Sequence, residues 1–192
     1  MSNKAVLEAF RKSIGLKKAF LKESGADRLL QVAQVISQRL KQGYKVLLCG
    51  NGGSAADCQH WVGEMVGRFR RERKALPFIS LTTNTSILTS IANDTSYQQI
   101  FSRQVEAIGQ AGDVLVCIST SGRSANVLQA AKKAREKGLL VISLTGKRPI
   151  LLASLSDLCL VVPSSDTPRI QEVHILLIHI LCDLVETAFG AK

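Results

Sequence analysis

His60 and Glu64 stand four residues apart, and Gln171 and His179 stand eight apart in the last apolar stretch of the chain. On a helix, the first pair shares a face and the second falls within about 80° around the axis. Two imidazoles, a carboxylate and an amide make an N/O donor set suited to a zinc-like divalent ion with room for substrate oxygens. The imidazoles and the carboxylate are equally the groups that move protons in general acid–base chemistry. His174 falls on a neighbouring stripe among Ile175, Leu176, Leu177 and Ile178 and is expected to be a packed, hydrogen-bonded core residue.

Two loops suit an anion. Gly50-Asn51-Gly52-Gly53-Ser54 joins an apolar run to a helical pattern. Its glycines permit close backbone approach to a phosphate, and the helix start adds unpaired N–H donors. Ser54-Ala55-Ala56-Asp57 is expected to form a capping box. The spelling also fits a relaxed dinucleotide fingerprint, but Leu81-Thr82-Thr83-Asn84-Thr85 lacks the acidic residue that would bind ribose, and no P-loop Lys is present. The second loop, Ser119-Thr120-Ser121-Gly122-Arg123-Ser124, offers four hydroxyls at another run-to-helix junction.

The elements that must position these groups are legible as pattern. Near-continuous apolar runs at 46–49, 78–81, 114–118, 140–144 and 158–162 read as strands buried on both faces. Helical patterns separate them at 54–68, 85–92, 97–108, 124–137 and 168–188, the last with Thr167 as N-cap and Pro168 opening the helix. The result is an α/β fold, a doubly wound five-stranded parallel sheet. In the order 2-1-3-4-5, both anion loops flank one crevice at the switch point. Two further helices, 3–22 and 26–42, form an N-terminal extension over residues 1–43 of a single domain spanning 1–192. The first carries Val6, Leu7, Phe10, Ile14, Phe20 and Leu21 among lysines and is expected to pack on the domain or a sister subunit, not on a membrane.

A chain of 192 residues with 46% hydrophobic and 21% charged residues can bury a core without disulfides, and those values exclude disorder and a disulfide scaffold. The five cysteines form no C-x-x-C pair and read as reduced core thiols. The N-terminus has no continuous apolar core of a secretory signal. A formal charge of +10 suits an anionic partner, but aromatic residues are only 5% and no RNA-stacking motif accompanies the basic run Arg68, Arg70, Arg71, Arg73 and Lys74. That run is expected to be a solvated face, and neither nucleic acid nor membrane is expected as a partner.

Taken together, these residues resemble the sugar isomerase (SIS) domain family and, within it, the phosphoheptose isomerases. The resemblance rests on the stretches 48–57, His60 with Glu64, 92–94, 101–107, 118–122 and 169–172 with His179. It implies conversion of sedoheptulose 7-phosphate to D-glycero-D-manno-heptose 7-phosphate for bacterial surface polysaccharide, by a cytoplasmic homotetramer with active sites between subunits. It further implies one zinc ion per subunit on His60, Glu64, Gln171 and His179, with Glu64 and His179 as the acid–base pair. Substrate contacts would come from Asn51, Gly52, Gly53, Ser54, Glu64, Asn93, Asp94, Ser119, Thr120, Ser121, Ser124 and Gln171. Aldose–ketose isomerisation through an enediolate needs a base, an acid and a group to stabilise oxyanion charge, and these residue types supply them. Two readings of another class stay open: a non-catalytic SIS module that binds the replication initiator, and a sugar-phosphate sensor that binds without turnover.

Overall fold

The computed structural model describes residues 2–23, 25–147 and 150–190. Two N-terminal helices, α1 (Asn3–Lys22) and α2 (Gly25–Lys41), precede an alternating series: β1 (Val46–Gly50), α3 (Gly53–Val66), β2 (Phe78–Ser80), α4 (Thr85–Asp94), α5 (Ser102–Ile108), β3 (Val114–Ser119), α6 (Ala125–Glu136), β4 (Leu140–Thr145), α7 (Ile150–Ala153), β5 (Leu158–Val161) and α8 (Thr167–Thr187). All strand pairs are parallel and the order is β2-β1-β3-β4-β5, the doubly wound arrangement expected from the sequence.

Both sheet faces are covered, which is why the strands read as unbroken apolar runs. Val46, Leu48, Val114, Val116, Ile118, Ile142, Leu144 and Leu160 point to one face, where α2, α3 and α8 cover them with Ile36, Trp61, Leu177 and Leu181. The alternate residues Leu47, Cys49, Leu115, Cys117 and Val141 point to the other face, against α5 and α6. Four of the five cysteines are buried and all are free thiols. The N-terminal helix packs through Phe20 and Leu16 but leaves Val6, Leu7, Phe10, Ile14 and Leu21 exposed. Among the described residues, no helix is long and apolar enough to cross a membrane.

Several local expectations shift. The first helix of the alternating series begins at Gly53 with Gly52 as N-cap and no side-chain cap, so Ser54 and Asp57 already lie inside the helix and form no capping box. The last helix starts one residue early, with Asp166 as N-cap and Thr167 already helical. The stretch 97–108 is not one helix: a 3₁₀ turn at Tyr97–Gln99 and the buried pair Ile100 and Phe101 precede α5. A four-residue helix, α7, falls where the sequence pattern named no element, its start lying next to Arg148 and Pro149, outside the described residues.

His174 is fully buried, and its Nε2 lies 3.2 Å from the carbonyl of Thr145, in keeping with a packed core histidine. Its Nδ1 is buried without a partner. Burial lowers its pKa from the ordinary 6.5 to about 4, against the opposing Thr145 contact. The neutral ring is therefore the folded form, and stability falls as pH drops from 6.5 towards 4, where only the unfolded chain gains the proton. The expected loss is about 3 kcal/mol across that window. Urea midpoints should fall less steeply with acid in His174→Gln than in the wild type; parallel profiles would contradict the assignment.

Candidate active site

Strands β1 and β3 are neighbours, and the chain leaves them towards opposite sides of the sheet, so their C-terminal loops flank the crevice. Two hydrogen bonds, exchanged between Asn51 and Asn126, join these loops. Asn126, at the start of α6 and only 3% exposed, accepts the Val127 N–H at its Oδ1, 3.0 Å away, which fixes its amide orientation. It then exchanges a reciprocal pair with Asn51 at 2.9 and 2.8 Å. The Tyr97 hydroxyl donates to the same Asn51 Oδ1 at 3.0 Å. With that oxygen twice occupied, the remaining N–H of Asn51 is the group left to meet a ligand, and it can serve only an acceptor oxygen.

In the second loop, the hydroxyls of Ser119 and Ser124 lie 3.1 Å apart. A cavity of about 290 Å³ beside it is lined by Thr120, Ser121, Arg123, Lys147, Ser165 and Thr167, hydroxyls with two cations at the rim. Ser54 is buried in the first turn of α3. Asn93 and Asp94 end α4, where the Asn93 amide donates to Asp94 at 2.8 Å.

Helices α3 and α8 both leave the sheet's C-terminal edge and pack side by side. At the top of their furrow, Gly53 leaves room for Gln171: a Cβ built there would lie 2.2 Å from Gln171 Nε2. Two turns down, His60 Nε2 and His179 Nε2 face each other at 2.8 Å, and Glu64 Oε1 lies 3.5 Å from His60 Nε2. The structure thus brings His60, Glu64 and His179 together and sets Gln171 against Gly53 above them. Asp57, one turn before His60, buries one carboxylate oxygen without a partner; burial raises its pKa to about 6, opposed by His60.

Among the described residues, no three His, Cys, Asp or Glu side chains are already spaced to close on one ion. For the two imidazoles the shortfall is small. Zinc at about 2.05 Å from two nitrogens holds them about 3.3 Å apart in tetrahedral geometry, so the imidazoles need part by only about 0.5 Å. The donor set fits zinc, and Glu64 and the His60 ring are partly open to solvent.

Asn126, Tyr97 and Phe69 carry no signal in the sequence that marks them for the site. The Phe69 ring stacks on His179 with centroids 5.7 Å apart and planes 18° apart. Nor is the basic run simply a solvated face: Arg73 has a fully buried side chain and pairs with buried Glu186.

A sequence model of the SIS domain matches residues 9–146. The phosphoheptose isomerase of Helicobacter pylori strain P12 is 50% identical over 96% of this chain and 92% of its own length. That of Clostridium acetobutylicum is 52% identical over 95% of this chain and 94% of its own. The solved structure of phosphoheptose isomerase from Neisseria gonorrhoeae superposes with a TM-score of 0.90 at 45% identity, over 96% of this chain and 98% of that one. With near-complete coverage in both directions, the chain belongs to the SIS-domain family and, within it, to the phosphoheptose isomerases.

Proposed function

We propose that this isomerase interconverts sedoheptulose 7-phosphate and D-glycero-D-manno-heptose 7-phosphate by proton transfer through an enediolate, in the cytoplasm, to supply heptose for surface polysaccharide. The observation that carries the reading is the meeting of His60, Glu64 and His179 in a furrow headed by two anion-suited loops.

The Ser119–Ser124 loop and its flanking Arg123 and Lys147 would receive the phosphate, and Gly52, Gly53 and the free Asn51 N–H would meet acceptor oxygens of the sugar. Ser54, Asn93, Asp94, Thr120, Ser121 and Gln171 complete the proposed substrate set. Glu64 takes a proton from C1 of the ketose and returns it to C2. His179 gives a proton to O2 and accepts one from O1, so the charges close over the cycle.

His60, Glu64 and His179 would hold one zinc ion per subunit, with Gln171 as fourth ligand from the same furrow. When bound, the ion supplies positive charge opposite the developing oxyanion. Working as a homotetramer would cover the exposed apolar face of α1. A non-catalytic initiator-binding module needs the fold but not Glu64 and His179, and a sensor needs the loops without turnover. Incubating the protein with sedoheptulose 7-phosphate before and after chelation separates them. Heptose 7-phosphate whose formation falls on chelation and returns with zinc is expected; binding without product would contradict the isomerase reading.

A further inference from the structure

Glu186 and Arg73 bury both side chains completely, with Arg73 Nε 3.3 Å from Glu186 Oε1. Burying two charges gains little stability over a well-packed apolar pair, so the geometry that such a pair enforces is its distinctive product. Here that geometry is unusual. The Glu186 carboxylate accepts three consecutive backbone N–H groups, those of Phe69 at 2.9 Å, Arg70 at 2.7 Å and Arg71 at 2.8 Å. Burial works to raise the Glu186 pKa, but the three N–H donors and the Arg73 guanidinium outweigh it and hold the carboxyl below its usual range.

The partner faces the other way. Arg73 donates from Nη2 to the carbonyl of Glu64 at 2.7 Å, and from Nη1 to the carbonyls of Gly67 at 2.9 Å and Lys74 at 3.1 Å. One buried ion pair therefore grips the backbone of Glu64 and, through residues 69–71, the backbone of Phe69, whose ring lies on His179. The Arg70 guanidinium stands 5.1 Å from the same ring. Both proposed proton-transfer groups are thus connected to a single pair that touches neither side chain.

We propose that Glu186, Arg73 and Phe69 form a positioning unit that sets the His179 imidazole against Glu64 for proton transfer. The inference rests on the reading that Glu64 and His179 carry those transfers. Phe69 is the face that fixes the ring, and Glu186 and Arg73 hold Phe69 and the Glu64 backbone in register.

The test compares Phe69→Leu, Phe69→Tyr, Glu186→Gln and the double variant Phe69→Leu with Glu186→Gln, each assayed well below its own melting temperature. Displacement of a proton-transfer group costs up to about 100-fold in rate, so Phe69→Leu should lower kcat by about 10- to 100-fold. KM should stay within about twofold, since substrate contacts are unchanged. Tyr restores the flat face and should restore kcat. Glu186→Gln should lower kcat similarly, and the double variant should lose no more than the worse single one.

Because the chain has only 3 histidines, their ring protons are separable by NMR. The His179 signals should lose their ring-current shift in Phe69→Leu and move in Glu186→Gln. Wild-type kcat in both single variants beside an inactive His179→Gln overturns the positioning unit alone. Additive losses, or losses that follow melting temperature with His179 signals unmoved, also overturn it. Wild-type turnover in His179→Gln overturns the proton-transfer assignment and the unit together.

Discussion

Glu64→Gln should lower turnover of sedoheptulose 7-phosphate by about 10²- to 10⁴-fold, the range that a general base contributes. Gln keeps the length and a carbonyl oxygen, so the neighbouring His60 retains an acceptor while the group that takes the C1 proton is lost. The side chain is about a quarter exposed and belongs to no buried ion pair, so the fold should survive. His179→Gln should fall in the same range, because its ring is the donor to O2. A loss in kcat with little change in KM is the signature of a group that acts in the transition state. Steady-state kinetics on protein with wild-type circular dichroism checks this, and kcat within about threefold of wild type would remove Glu64 from the chemistry.

The second large effect belongs to Gly53→Ala. A Cβ there meets Gln171 Nε2 at 2.2 Å and Gln171 Cδ at 2.9 Å. Both atoms belong to the free end of a flexible side chain, so Gln171 moves and the backbone does not. Stability should change by less than about 1 kcal/mol. With a proposed ligand displaced from the head of the furrow, kcat/KM should fall by about 10²-fold. Gly53→Ala with wild-type kcat/KM and an unchanged melting temperature would show that Gln171 has no part in the site. Gly52 is a different case: its φ of +54° lies in the left-handed region that other residues adopt only with strain, while a Cβ there would meet open space.

The fold was legible because burial on both faces writes itself into composition. Residues 46–49 and 114–118 carry no polar residue, and only a central parallel strand demands that. The loops were legible for the same reason, since Gly50 to Ser54 and Ser119 to Ser124 follow those strands directly. His60 and Glu64 declared themselves by helical spacing, and their grouping with His179 was expected from residue types and resemblance; the contact itself depends on how α8 returns across the sheet to α3.

The errors share a cause. A capping box at Ser54 was the local preference, but Gly52 at positive φ turns the chain into the helix two residues sooner than a Ser54 N-cap would, leaving Ser54 buried and Asp57 partly desolvated. The break before α5 follows from Ile100 and Phe101 turning into the core, a tertiary demand that overrides the helical pattern of 97–108. Arg73 looked like its neighbours in a basic run and is distinguished only by Glu186, 113 positions away in the sequence. Asn126 and Tyr97 act through Asn51 in the same long-range way. Contacts of this kind have no periodicity.

The most direct test is to run the isomerisation in deuterated water and locate the label in the heptose 7-phosphate by NMR. Glu64 and His60 are partly open to solvent, so a proton held between abstraction from C1 and return to C2 exchanges with the medium. Deuterium at C2 of the product, and its loss along with turnover in Glu64→Gln, is the expected result. Product formed at the full rate with the C1 hydrogen carried wholly to C2 would indicate a direct hydride shift, and would contradict acid–base transfer by Glu64.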